Sequence, residues 1–323
     1  MSTPSPDLLR GVVELACRAP SVHNTQPWRW RTLGDSVLEL YADRDRQLPV
    51  ADPDGRNLSL SCGAATHHAI VAAGALGMPP TVELMPDPVD TDLLARLHLS
   101  PGQPHPDAQP TLRALEQRRT DRRRFTSWPV PDNRLTHLAE AAAGWGAYAI
   151  PITDVTARFR TELLVHHAIT SQESDRHYAQ EQAEWIDHST VDGIPATTAT
   201  PPPGPRPAQR PNRFAGRPEM DEGQRLVEGS DGLIAICTAH DDQHSWLQAG
   251  QALSALWLRA TTDGLSIVPL SQVIEVRETR DALHNDVFDG MARPQLLLRV
   301  GWQEIARSSL PRTPRRDVDD VLA

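Results

Sequence analysis

GAATHHAIVAAGALGM, residues 63–78, lies without gaps on GQALSALWLRATTDGL, residues 250–265. Each stretch opens on Gly, continues as an Ala-rich helical pattern and stops at a Gly ahead of a strand candidate. Each also follows, at some distance, an apolar strand candidate: Val37-Leu38-Glu39-Leu40-Tyr41 in one case and LIAIC, residues 233–237, in the other. The expectation is a chain that carries one α+β unit twice. Small residues let backbones approach closely, so the halves should pack through the helices that begin near Gly63 and Gly250. Such endings recur in unrelated chains, and the duplication therefore needs support from motifs elsewhere.

Outward from this pair, Leu8, Leu9, Val12, Val13, Leu15 and Ala16 share a helical face, with acidic Asp7 near its start. Residues 57–77 read as the Ala-rich helix, and 82–84 and 94–100 as short strands. Residues 101–110, rich in Pro and polar groups, form a natural linker. It divides the chain into an N-terminal half, 1–105, and a C-terminal half, 106–323. Beyond the linker a helix runs into the basic stretch RRTDRRRF, residues 118–125. Residues 135–143, 153–185 and 245–263 read as helices, and 265–269 and 295–300 as strands. The Pro-, Gly- and Thr-rich stretch 193–218 is incompatible with regular structure and is a candidate lid or binding loop.

A net charge of −10 over 323 residues argues against a broad nucleic-acid-binding surface. No apolar run approaches the roughly 20 residues of a membrane-spanning helix. Residues 1–8 are polar and lack a basic start or cleavage signal, so the expected location is the cytoplasm. All 32 basic side chains other than His are Arg, and each is a planar fork suited to phosphate or carboxylate. Cys17, Cys62 and Cys237 are far apart in apolar text and read as buried thiols in a reducing compartment.

The two halves carry complementary polar equipment. The first has APSVHNTQPW, residues 19–28, whose Ser21, Asn24 and Gln26 suit the polar edge of a heterocycle. The second has RRTDRRRF and a final PRR, residues 314–316. Arg118, Arg119, Thr120 and Arg122 offer fork donors and a hydroxyl, the groups a phosphate dianion requires. A solvated basic helix end is the other reading of 118–124, and a capped loop the other reading of 19–28. Trp28 and Trp30 read as core. GWGAYA, residues 144–149, fits a dinucleotide-loop pattern but follows a helix instead of a strand. His67-His68 and His166-His167 are adjacent, and helical neighbours diverge by about 100°, which disfavours chelation and predicts no metal site. No G-x-S-x-G nucleophile elbow is present.

The loop A-P-S-x-x-N-x-Q-P-W resembles the N-terminal signature of flavin-dependent nitroreductases. R-R-T-D-R resembles that superfamily's R-R-S-x-R phosphate element, and GLSIVPLSQVIEVRETRDAL, residues 264–283, resembles its strand and turn beside the flavin ring. RVGWQ and PRRDVDDVL resemble its last strand and basic tail. Here the A-P-S loop precedes the Arg cluster by a long stretch, the reverse of the common order. That split arrangement resembles the duplicated, Acg-like branch, in which one chain supplies both sides of a single flavin site.

The resemblance implies a nitroreductase-like α+β fold, duplicated as two pseudo-symmetric halves of mainly antiparallel sheet surrounded by helices. It implies FMN as cofactor, with Arg118, Thr120 and Arg122 on the phosphate, helped by Arg315 and Arg316. Pro20, Ser21 and Asn24 would meet the isoalloxazine from the first half, and Pro269, Ser271 and Gln272 would lie near its N5 side. Ser271-Gln272 stands where many reductases have Glu-Gly. The implied activity is reduction of a small nitro or quinone compound by flavin that NAD(P)H has reduced, in a pseudo-dimeric monomer or a homodimer. The alternative is a flavin-sequestering protein with little turnover, its FMN covered by residues 193–218.

Overall fold

One strand order is built twice. The computed structural model describes residues 6–104, 106–122, 125–196, 230–303 and 312–323. In the first sheet, β1 (Trp28–Leu33), β2 (Val37–Ala42), β3 (Pro80–Leu84) and β4 (Leu93–Leu99) lie in the order β1-β2-β4-β3. In the second, β5 (Tyr148–Pro151), β6 (Gly232–Thr238), β7 (Leu265–Leu270) and β8 (Arg293–Trp302) lie in the order β5-β6-β8-β7. Every pairing is antiparallel. Even the irregularities match: the register slips at Leu40/Tyr41 in one sheet and at Ile236/Cys237 in the other.

The helices are α1 (Pro6–Ala16), α2 (Arg56–Ala75), α3 (Ala108–Gln117), α4 (Asp132–Ala141), α5 (Val155–Ser174), α6 (Arg176–Glu184) and α7 (Gln243–Thr262). Short helical turns follow at Gln272–Glu275 and Arg277–Ala282. In each unit the long helix, α2 or α7, connects the second strand to the third. The side chains explain the layering. β1 turns Trp28 and Trp30 inward and Arg29 and Arg31 outward, the period-two pattern of a half-buried strand. β6 is buried along its whole length, as its unbroken apolar text requires. α7 is capped by Asp242, which accepts from Ser245 N at 2.8 Å.

α2 packs against α7 at backbone contact. A Cβ on Gly63 would lie 2.1 Å from the Leu247 carbonyl oxygen, and one on Gly250 would lie 2.0 Å from that of Leu60. No larger residue fits either place, and the contact is reciprocal, as expected from the matched glycines. Leu247 of α7 joins the core of the first unit, and Leu60 of α2 joins that of the second.

The chain end returns to the first sheet. Trp30 N donates to Val321 O at 2.6 Å and Ala323 N donates to Trp30 O at 2.9 Å, so the tail runs parallel to β1. A division at residue 105 therefore leaves the last residues of the C-terminal half on the N-terminal sheet.

Three local readings differ from expectation. β1 and β5 are strands that the sequence left unread; β5 has only four residues and follows Gly144 and Gly146, both with positive φ. As far as residue 122 the basic run is not helical: α3 stops at Gln117, and Arg118 leaves it with φ −51° and ψ 129°. Continuing the helix would set Arg118 and Arg122 four apart on one face, a like-charge pair that destabilises it. Of the Pro-rich stretch 193–218, residues 197–218 lie outside the described residues.

Candidate functional site

The loop between α1 and β1 holds an unusual backbone. His23, Asn24 and Gln26 have φ of 47°, 57° and 51°, a left-handed region that side chains other than Asn enter at a cost of about 1–2 kcal/mol each. Hydrogen bonds over-determine it. Ser21 Oγ accepts from Gln26 N at 3.0 Å, Val22 N donates to Ser61 Oγ of α2 at 3.2 Å, and Asn24 N donates to Ser21 O at 3.1 Å.

This strained loop forms one wall of a cavity of about 620 Å³. Pro20, Ser21 and Asn24 line it from the first unit; Arg118, Thr120 and Arg122 line it from the chain after α3. Arg315 and Arg316 line it from the tail. A second, more apolar hollow adjoins it, lined by Pro269, Ser271 and Gln272 together with Trp257, Leu270 and Asn57. Pro20, Ser21, Thr120 and Arg122 border both, so the two hollows form one cleft with a basic end and an apolar end. All eleven residues that the resemblance assigns to the cofactor line this cleft, whereas Gln26, also named in the loop, lines neither hollow.

Arg118 has the most telling environment. Its side chain is buried, 7% exposed, with the guanidinium over the Trp257 ring at 4.7 Å. Nη2 donates to Arg18 O at 3.1 Å, while Nε and Nη1 have no partner among the described residues. Burial, then the nearby Arg315 and Arg119 charges, push its pKa down to about 9, so it remains a cation at neutral pH. A buried cation with two unsatisfied donors is costly unless an anion meets it. An oxyanion at the basic end would meet the charge of this guanidinium, although Nε and Nη1 are themselves sealed from solvent beside Trp257.

The tail arginines are committed differently. Arg315 Nη1 donates to Asn24 Oδ1 at 2.8 Å, and its Nη2 reaches the carbonyls of Arg18 and Ala19 at 3.4 Å. Its Nε is unpartnered among the described residues, and burial pushes its pKa down to about 10. Arg316 donates to the carbonyls of Gln26, Trp28 and Asp320 and to Asp43, and so braces the loop instead of the cavity. Asn24 is fully engaged as well: Nδ2 donates to Gly193 O at 2.9 Å and Pro314 O at 3.1 Å. Gln26 repeats the pattern, with Nε2 on Val191 O and Oε1 accepting from Arg316 N, both at 2.9 Å. Val191 and Ile194 thereby line the basic end.

The apolar end brings α2, α7 and the β7 turn together. Ser271 precedes the helical turn Gln272–Glu275, and Asn57 Nδ2 donates to Glu275 Oε1 at 3.1 Å beneath it. Asn57, Ser61 and Trp257 escaped sequence reasoning because they lie inside Ala-rich helical text that reads as packing. Arg18 was missed at the end of an amphipathic helix.

Other groups have structural roles. His67 and His68 share Ser254 Oγ, at 2.7 and 2.8 Å, between α2 and α7, and burial pushes His67 down to about 3. The three cysteines are buried, and burial pushes the Cys17 thiol up to about 12. Among the described residues no three His, Cys, Asp or Glu side chains cluster for a metal, and no helix is long and apolar enough to cross a membrane.

The model of the nitroreductase family matches residues 115–302. A Mycobacterium tuberculosis H37Rv protein, Rv3131, whose name assigns it provisionally as an NAD(P)H nitroreductase, is 39% identical over 99% of this chain and 92% of its own length. Another from that organism, named acg and described in the same provisional terms, is 31% identical over 98% of this chain and 95% of its own. Among solved structures, a Bacteroides fragilis nitroreductase with bound FMN aligns at a TM-score of 0.41 and 13% identity, over 64% of this chain and 94% of that one. With end-to-end similarity at this level and the family pattern spanning most of the second unit, the chain belongs to the nitroreductase family.

Proposed function

We propose that the cleft holds one FMN between the two units and that the protein is a cytoplasmic oxidoreductase of small nitro or quinone compounds, driven by NAD(P)H. The observation that carries this reading is the buried Arg118, with two unpartnered donors, in the same cavity as the strained Ser21–Asn24 loop of the other unit. Bound FMN would supply hydride and electron transfer between a nicotinamide nucleotide and the acceptor. The chain's own residues would bind and orient. Arg118, Thr120 and Arg122 would hold the phosphate, with Arg315 a buried cation beside it. Pro20 and Ser21 would pack against the ring from the first unit, and Pro269, Ser271 and Gln272 from the second. We read the halves as 1–105 and 106–323, so that a single chain completes one site without a partner.

The tethering of Val191 and Gly193 to Gln26 and Asn24 favours a second reading, in which bound flavin is held with little turnover. Two measurements separate the readings. Purified protein should be yellow and release stoichiometric FMN on denaturation, and anaerobic NAD(P)H should bleach it; a yellow protein that stays oxidised supports retention without catalysis. Charge-assisted bonds contribute about 1.5–3 kcal/mol each, so Arg118→Ala with Arg122→Ala should weaken FMN binding at least a hundredfold, roughly. A folded double variant with stoichiometric flavin overturns the phosphate assignment.

A further inference from the structure

The basic end holds more positive charge than one phosphate engages. Arg316 is braced against Asp43, and Arg10, at the rim, pairs with Asp319 through a two-pronged contact. Arg118, Arg122 and Arg315 are given to the flavin phosphate in the reading above. Three guanidinium groups remain: Arg18 at the end of α1, Arg119 after α3, and Arg312 in the tail. None has an ion pair or side-chain hydrogen bond among the described residues, although Glu14, Glu116 and Asp317 also line the cavity.

These three come from separate parts of the chain and converge on one hollow. Arg118 turns in toward Trp257, whereas its neighbour Arg119 is half-buried toward the rim, as side chains alternate along extended backbone. Burial and then the charges of Arg312 and Arg18 lower the Arg119 pKa, which reports three like charges near each other. In a chain of net charge −10, gathering unpaired cations in one concave place is the electrostatic footprint of an anionic ligand.

We propose that Arg18, Arg119 and Arg312 form a second phosphate subsite, distinct from the one under Arg118, Thr120 and Arg122, that takes a nucleotide's additional phosphate group. The proposal rests on the flavin reading above. The 2′-phosphate of NADPH is one source of that chemistry, and it makes these residues determinants of NADPH over NADH. The adenylyl phosphate of FAD is the other.

The test uses FMN-loaded protein titrated with NADP+ and NAD+ by calorimetry, beside the variant Arg119→Gln with Arg312→Gln, which retains the side-chain bulk. Wild type should bind NADP+ about tenfold or more tighter than NAD+, the variant should bind both alike, and its FMN content should be unchanged. If the source is the flavin, FAD should displace FMN from wild type about tenfold better than from the variant. The subsite is refuted if wild type binds NADP+ and NAD+ equally and FMN and FAD equally. It is equally refuted if the variant matches wild type throughout, or if it folds but loses FMN, since the three arginines would then serve the first phosphate. Protein that takes up no flavin defeats the functional reading instead, and the NADP+ and NAD+ titrations still score the subsite on the flavin-free chain.

Discussion

Arg315 Nη1 donates a 2.8 Å hydrogen bond to Asn24 Oδ1, joining positions 291 apart in the chain. Through this bond the tail, the loop after α1 and the segment at Gly193 are tied at one point, because Asn24 Nδ2 also holds Gly193 O and Pro314 O. The carboxamide suits the task, having one acceptor and two donors and tolerating the left-handed backbone at φ 57°. With both ends engaged by the protein, Asn24 positions the loop, and Pro20 and Ser21 are left to face the cleft.

Asn24→Ala should therefore loosen three segments at once. It removes the acceptor of a buried guanidinium and places a Cβ residue without side-chain compensation at positive φ, a combined cost of about 2–4 kcal/mol. Asn24→Asp keeps the acceptor for Arg315 but loses both donors and turns an oxygen onto the Gly193 and Pro314 carbonyls, so it too should melt below wild type. Thermal unfolding of the two variants checks this; an Ala variant that melts with wild type removes the tie.

Gly63→Ala and Gly250→Ala test the joint between the units. Alanine gains up to about 1 kcal/mol of helix propensity over glycine. Here the new methyl would meet a main-chain carbonyl near 2 Å, which only displacement of a whole helix relieves. Net destabilisation of about 3 kcal/mol or more is expected, at the upper end of overpacking costs. Gly74→Ala, at an open place on α2, is the control and should be neutral or stabilising. Urea titration reads all three.

His67 makes stability depend on pH. Its folded pKa of about 3 lies below the unfolded value near 6.5, so its contribution is present above about pH 6.5 and lost as pH falls toward 3. Asp52, which burial raises to about 7, acts in the opposite sense: it favours folding below its unfolded value and loses that effect as pH rises through 7. Comparison of variants isolates the histidine. His67→Gln should reduce the drop in unfolding free energy between pH 7 and pH 5, and an unchanged drop assigns the acid sensitivity elsewhere.

Much of the fold was legible because its signals are local. The glycine-to-glycine match at 63 and 250 located the joint, since only the absence of a side chain permits that contact. Apolar text marked β6, β8 and the cores of α2 and α7. The short strand β5 escaped because it is four residues long, follows a glycine-rich turn and forms only by pairing with β6. The helix ahead of the basic run stops at Gln117, and the burial of Arg118 against Trp257 of α7, which no window of sequence displays, holds the next residue off the helix.

The amino-acid sequence by itself determined that a unit is repeated, that a proline-stiffened polar loop belongs to one copy, and that guanidinium groups suited to phosphate belong to the other. Which of those groups are available was decided only in three dimensions. Arg118 lies buried with two donors unpartnered among the described residues, whereas Arg316 spends its donors on Asp43 and main-chain carbonyls, though both sit in equally basic text. Hydrogen-bonding capacity is set by the atoms within about 3 Å, and those atoms come from α1, the tail and the far unit. Contacts across hundreds of residues leave no periodic trace, so the availability of each arginine emerges only when the tail closes back on β1.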